Sequence, residues 1–231
     1  MNTPVTPSST DTFYIVDFDR TLVDSDKLLQ VFIEITNQYI LLPIERVQKI
    51  DADVKAKGDS FDTASYVRDH LADQDSLDLW ERLQKQFIHE SRALNMLLPG
   101  ANELLAYLNR THKSHGILTY GNPLWQHLKL TASGFNHVHR IVTTDKHKGR
   151  LISGWQQSDG SFHLPPEFGG RAVERVVLID DKSASYDGFP PEPSHGYQPL
   201  DYATALPAQL GDVPRNVTHV TSLHQVIDLL E

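Results

Sequence analysis

The sequence predicts an α/β fold: a three-layer core on a mainly parallel sheet, with an all-helical block inserted near its start. Three observations carry this. Short apolar runs without alternation recur along the chain, each stopping at polar residues, as in strands buried on both faces. Between them apolar residues return at three- and four-residue steps, the helical period. From residue 26 to about 94 that period continues with no strand pattern.

The elements follow in order. Residues 1–12 (MNTPVTPSSTDT) lack a basic start and an apolar core, so they read as a flexible tail and not a signal peptide. Phe13–Val16 is the first strand, ending in Asp17-Phe18-Asp19-Arg20-Thr21. Leu28, Leu29, Phe32, Ile35 and Ile40 mark the first inserted helix, and Pro43 opens a second. Ser60 is expected to cap the helix of Tyr66, Val67 and Leu71, and Ser76 that of Trp80, Leu83 and Phe87. These boundaries predict a helical domain at 22–97 and a core made of 13–21 and 98–231.

Pro99-Gly100 punctuates the chain before the helix 101–109. Gly116–Tyr120 is the second strand, followed by the helix Pro123–Leu130. His139–Thr144 is the third strand, and Arg175–Ile179, the most apolar, the fourth, ending in Asp180-Asp181. Val217–Val220 is a fifth strand and Ser222–Leu230 a closing helix. Residues 150–172, rich in Gly, Ser and Pro, read as a long loop. So do residues 182–215, which carry six of the thirteen prolines.

Composition excludes several functions. The 231 residues contain no cysteine, which removes disulfides, thiolate metal sites and cysteine nucleophiles. The net charge of −9 argues against nucleic-acid and anionic-membrane partners, which need a basic face. That acidic balance fits a cytoplasmic protein, and no run of 18 apolar residues offers a membrane span. Residues 51–81 hold nine acids against three bases, which places much of the surplus on the helical block. The histidines, at spacings such as His112/His115 and His137/His139, lack a third ligand at a strand end and read as solvated.

In open parallel sheets, ligands bind beyond the carboxyl ends of the strands. Those ends carry Asp17 and Asp19, then Thr119 with Gly121 and Asn122 behind it, then Lys146 and Lys148, then Asp180 and Asp181. Four carboxylates in one cleft repel one another unless a cation joins them. Oxygen-only ligands select a hard divalent ion, Mg²⁺ above all. A carboxylate, a hydroxyl, an ammonium and Mg²⁺ together suit phosphoryl transfer.

Asp17-Phe18-Asp19-Arg20-Thr21 resembles the D-x-D-x-T signature of the haloacid dehalogenase-like (HAD) superfamily. Thr119 resembles its second motif, a lysine of Asp145-Lys146-His147-Lys148-Gly149 its third, and Asp180-Asp181 its fourth, all in order from Phe13 to about Lys182. Many relatives carry Gly where this chain has Arg20. The resemblance implies a Rossmann-like core with a helical cap between the first two motifs. It implies a Mg²⁺-dependent phosphatase acting on a small phosphorylated metabolite. Asp17 would be the nucleophile and a metal ligand, and Asp19 the general acid/base with its carbonyl on the metal. Asp181 would bind the metal directly, while Asp180 would sit behind it or anchor the lysine. Thr119 would hold phosphoryl oxygens, helped by the amides of Tyr120 and Gly121, and Asn122 would contact the aspartate loop or the substrate. The lysine is Lys146 or Lys148, with Lys148 preferred for its reach. Dehalogenases of the superfamily lack a carboxylate at the Asp19 position, because a leaving halide needs no proton. Alternatives are a phosphomutase or phosphotransferase, a phosphonate hydrolase and, outside enzymes, a binding module.

Overall fold

The computed structural model describes residues 11–40, 44–56, 60–200, 205 and 209–231. Residues 1–10 of the expected tail, Pro43, and residues 57–59 of the acidic stretch lie outside the described residues.

Six strands form one sheet, in the order β3 (Arg140–Thr143), β2 (His115–Tyr120), β1 (Thr12–Val16), β6 (Arg175–Ile179), β7 (His195–Pro199) and β8 (Val217–Val220). Every pairing within it is parallel. The chain leaves β1 toward β2 on one side and later returns to β6 on the other. The strand order thus reverses at β1, which opens a crevice at its carboxyl end. β4 (Phe162–His163) and β5 (Ala172–Val173) make a separate antiparallel pair.

The period of two along β1 builds both apolar layers. Phe13 and Ile15 join Phe162, Phe168 and Tyr186 on one face. Tyr14 and Val16 join the other layer, with Leu104 and Leu108 of α5 (Ala101–Arg110) and Val226 of α8 (Leu223–Leu230). Between β1 and α5 run four helices: α1 (Ser25–Thr36), α2 (Ile44–Ala56), α3 (Thr63–Asp73) and α4 (Asp78–Ala93). Their buried faces continue the second layer. Phe32 of α1 and Phe87 of α4 pack on Trp125 of α6 (Pro123–Ala132), with ring centroids 4.8 Å and 5.8 Å away. Trp125 is thus a packing residue of the joint between insert and sheet.

Several expectations are corrected. The loop assigned to 182–215 contains β7, an inner strand of the main sheet. Gly196, Gln198 and Pro199 deprive it of the apolar signature, yet Gln198 is fully buried. The loop assigned to 150–172 continues α7 (Lys148–Ser153) and contains the β4 strand and the start of β5. The ordered chain begins before Phe13: Thr12 opens β1 and Asp11 pairs with Arg171. Asp62, not Ser60, caps α3, accepting from the Ser65 amide at 3.0 Å. α4 starts behind Leu77 without a side-chain cap. Among the described residues, no helix is long and apolar enough to cross a membrane.

Candidate active site

Three carboxylates meet at the carboxyl ends of β1 and β6. Oxygens of Asp17, Asp180 and Asp181, all three buried, lie within 4.8 Å of one another. Asp17 directly follows β1, and its amide donates to the Ile179 carbonyl at 2.8 Å, which ties it to the end of β6. Phe18, between the two acids of the motif, turns into the core against Phe135. The Thr21 hydroxyl donates to Asp17 at 3.0 Å and accepts from the Asp181 amide at 3.3 Å.

Lys148 answers the choice between two lysines geometrically. Its buried ammonium donates to Asp17 and, at 2.6 Å, to Asp180. Lys146 is exposed. Gly149 permits this seating: a Cβ there would stand 2.6 Å from the Asp187 carbonyl oxygen and the Phe189 nitrogen. Asp180 anchors the lysine with one oxygen and accepts from the Lys182 amide at 2.9 Å with the other.

The acids outnumber the cations around them. Burial and the neighbouring Asp180 carboxylate push Asp17 up to about 6, against the pull of Lys148 and Lys182. Burial, then Asp17 and Asp180, push Asp181 up to about 8. Burial lowers the Lys148 ammonium, but Asp17 and Asp180 more than reverse this and leave it raised. Asp181 Oδ1 is buried with no hydrogen-bond partner, while Oδ2 accepts from Gln209 at 2.8 Å. Raised acids around an orphaned carboxylate oxygen suit a cation, and the all-oxygen donor set suits Mg²⁺.

The Asp19 side chain has partners of its own. It pairs with Lys129 of α6 and accepts from Ser25 at 2.6 Å and Gln126 at 2.7 Å. Burial raises this carboxyl, but the Lys129 ammonium outweighs burial and holds it well below the usual carboxylate range. Gly121 lets Gln126 through: its φ is +150°, and a Cβ would stand 2.4 Å from Gln126 Nε2. Arg20, the departure from Gly, adopts φ +62° and grips Asp26 with two hydrogen bonds of 2.8 and 2.9 Å. Its left-handed backbone explains why glycine suits the position.

Thr119 is fully buried at the edge of β2 with an unpartnered hydroxyl. Gly121 departs from expectation, because its amide donates to Thr143 at 2.9 Å and is spent on the sheet. The Tyr120 carbonyl accepts from Gln126 at 2.7 Å. The Asn122 side chain donates to the Ser60 carbonyl at 2.7 Å, linking the insert to the start of α6.

Sequence reasoning missed five residues. Lys129 and Gln126 lie on α6 beyond the second motif, Ser25 on α1, and Lys182 directly behind Asp181. Gln198 of β7 donates to the Asp181 carbonyl at 2.9 Å and so fixes the fourth motif. Polar residues on an apolar helix face were the available signal for Lys129 and Gln126, which are 4% and 2% exposed.

No family model and no curated protein matches the sequence. Solved structures do match it. A protein of Burkholderia xenovorans LB400 described as a haloacid dehalogenase-like hydrolase is 17% identical, with a TM-score of 0.64, covering 96% of this chain and 97% of its own. A magnesium-bound protein of Bacillus subtilis described as a HAD-hydrolase is 14% identical, with a TM-score of 0.53, covering 96% and 100%. The L-2-haloacid dehalogenase RSc1362 is 13% identical, with a TM-score of 0.52, covering 96% and 99%.

Proposed function

From the haloacid dehalogenase-like fold of this chain, and the acids at its sheet edge, we propose that it belongs to that superfamily. We propose further that it is a Mg²⁺-dependent phosphatase acting on a small phosphorylated metabolite through an aspartyl-phosphate on Asp17. The observation that carries this is Asp19. A carboxylate two residues beyond Asp17 has a task in expelling an alkoxide and none in expelling a halide, which favours a phosphatase over a dehalogenase.

Asp17, the Asp19 carbonyl and Asp181 would hold the metal, which when bound supplies positive charge to the phosphoryl oxygens. Asp17 attacks phosphorus as a carboxylate, and Lys148 fixes its rotamer by bridging it to Asp180. The Thr119 hydroxyl, unpartnered and buried, donates to a phosphoryl oxygen. Asp19 then takes the proton of the water that hydrolyses the acyl-phosphate, and its ionised state suits that role. Its earlier task, protonating the leaving oxygen, requires it to leave Lys129 for the substrate and take up a proton from solvent, which it then passes to the alkoxide. The inserted helices would act as a cap, one of them bringing Ser25 to Asp19, and the acidic stretch within residues 51–81 would disfavour large polyanions. A phosphomutase would use the same groups and pass the phosphoryl group to a second substrate hydroxyl.

The test is phosphate release from an aryl phosphate, with and without Mg²⁺, in wild type and Asp17→Asn, beside halide release from a 2-haloacid. Mg²⁺-dependent phosphate release that vanishes in the variant is expected. Halide release alone, or wild-type rates in Asp17→Asn, would refute the reading.

A further inference from the structure

A cavity of about 400 Å³ opens at the other edge of the sheet. Tyr14, Val177 and His195 form its floor, one row across three strands in register. Arg175 begins β6 and His195 begins β7, whereas Asp17 and Asp180 follow the ends of β1 and β6. A five-residue strand separates the two edges by about 15 Å. None of the cavity-lining residues belongs to the site described above.

The polar groups here converge without satisfying one another. Tyr14 and Tyr197 are 5% and 9% exposed. Among the described residues neither hydroxyl makes a hydrogen bond to the protein and neither is sealed from solvent, so both are open to a ligand in the cavity. The Arg175 Nε donates to the Thr12 hydroxyl at 2.6 Å. No carboxylate of the described residues pairs with its two terminal nitrogens. Arg175 lines the cavity together with Tyr14, Tyr197 and His195. Lys113 reaches over the Tyr14 ring, 5.6 Å from its centroid, and the His195 and Tyr197 rings are 4.8 Å apart. Glu192 is the one acid lining the cavity, and it is exposed.

We propose that this cavity is a binding site for a small organic anion with a flat body. Its oxyanion head sits on the Arg175 fork and the two phenols, and its body lies against the His195 and Tyr197 rings. An arginine fork accepts a carboxylate or a phosphoryl head in the same planar geometry. A cavity of this volume, walled by rings with a few convergent donors, suits a ligand of metabolite size.

The experiment is NMR titration of the full chain with benzoate, phenylphosphonate and, as the neutral control, benzyl alcohol. Shifts are followed at the Arg175 side-chain Nε–H and the Ser194 and His195 amides. Both anions should move these signals saturably, and benzyl alcohol should not. Arg175→Gln should weaken binding at least tenfold and Tyr197→Phe about threefold to tenfold. Asp17→Asn should leave the shifts unchanged, which separates this cavity from the acid cluster at the opposite edge. Which anion binds tighter identifies the head group. Tyr14→Phe, which keeps the ring in the core, should also weaken binding should Arg175→Gln fail to fold. Silence of these signals toward both anions, equal response to benzyl alcohol, or undiminished affinity in the folded variants overturns the proposal.

Discussion

The Lys129 ammonium lies against the Asp19 carboxylate, joining α6 to the loop that follows β1. Both side chains are largely withdrawn from solvent, at 5% and 13% exposure. Removing one partner of such a pair strands the other's charge, which costs far more than exchanging both for neutral groups. We therefore expect Lys129→Met to lose about 3 kcal/mol of stability, and Lys129→Met with Asp19→Asn to recover most of it. Urea unfolding of the four proteins measures the coupling, and additive losses would show that the contact carries no energy.

Lys148 holds two carboxylates at once. Lys148→Met should cost the metal-free protein about 3–5 kcal/mol and lower turnover of an aryl phosphate about 10²–10³-fold. The variant's kcat and its urea midpoint test the two halves separately. Lys146→Met, at an exposed position, should change both little.

The raised acids fix the sign of a pH effect. Asp17 and Asp181 go from an ordinary value of 3.8 to about 6 and about 8 in the folded protein. The native state therefore holds more protons than the unfolded chain. Metal-free stability from these groups is full below about pH 4 and is lost as the pH climbs toward 8. Asp19, held low, acts oppositely, and its contribution disappears as the pH falls below 3.8. Thermal unfolding should show a Tm that declines from pH 5 to 8 without metal and a Mg²⁺-induced rise that grows with pH. A Tm indifferent to millimolar Mg²⁺ at pH 8 would contradict the assignment of the acid cluster as a cation site.

Gly121 makes room for Gln126 on its way to Asp19. Gly121→Ala combines a backbone angle foreign to alanine with a collision, and should cost about 1–3 kcal/mol. It should also reduce turnover, because Asp19 loses a donor. Gln126→Ala in the same background tests the cause. A second loss as large as in wild type would show that Gln126 does not transmit the effect.

Much of this protein was legible in its sequence. β1, β2 and β6 announced themselves because strands buried on both faces are apolar, β3 and β8 because edge strands still carry β-branched residues, and residues that end parallel strands collect at one sheet edge. That geometry grouped Asp17, Asp180 and Asp181 with a lysine, Lys146 or Lys148. β7 was not legible, because its place between β6 and β8 is secured by backbone pairing and by Gln198 reaching Asp181, which leaves no apolar run. The partners of Asp19 were hidden for a related reason. Lys129 stands 110 positions beyond Asp19, and nothing in local periodicity separates a lysine aimed at a carboxylate from one aimed at water. The sequence by itself determined five of the six strands and the residue types at their carboxyl ends, because burial and strand-end position are local constraints on residue type. Only the tertiary structure decided which cation meets which acid, because ion pairs depend on the packing of α6 and α7 across the sheet.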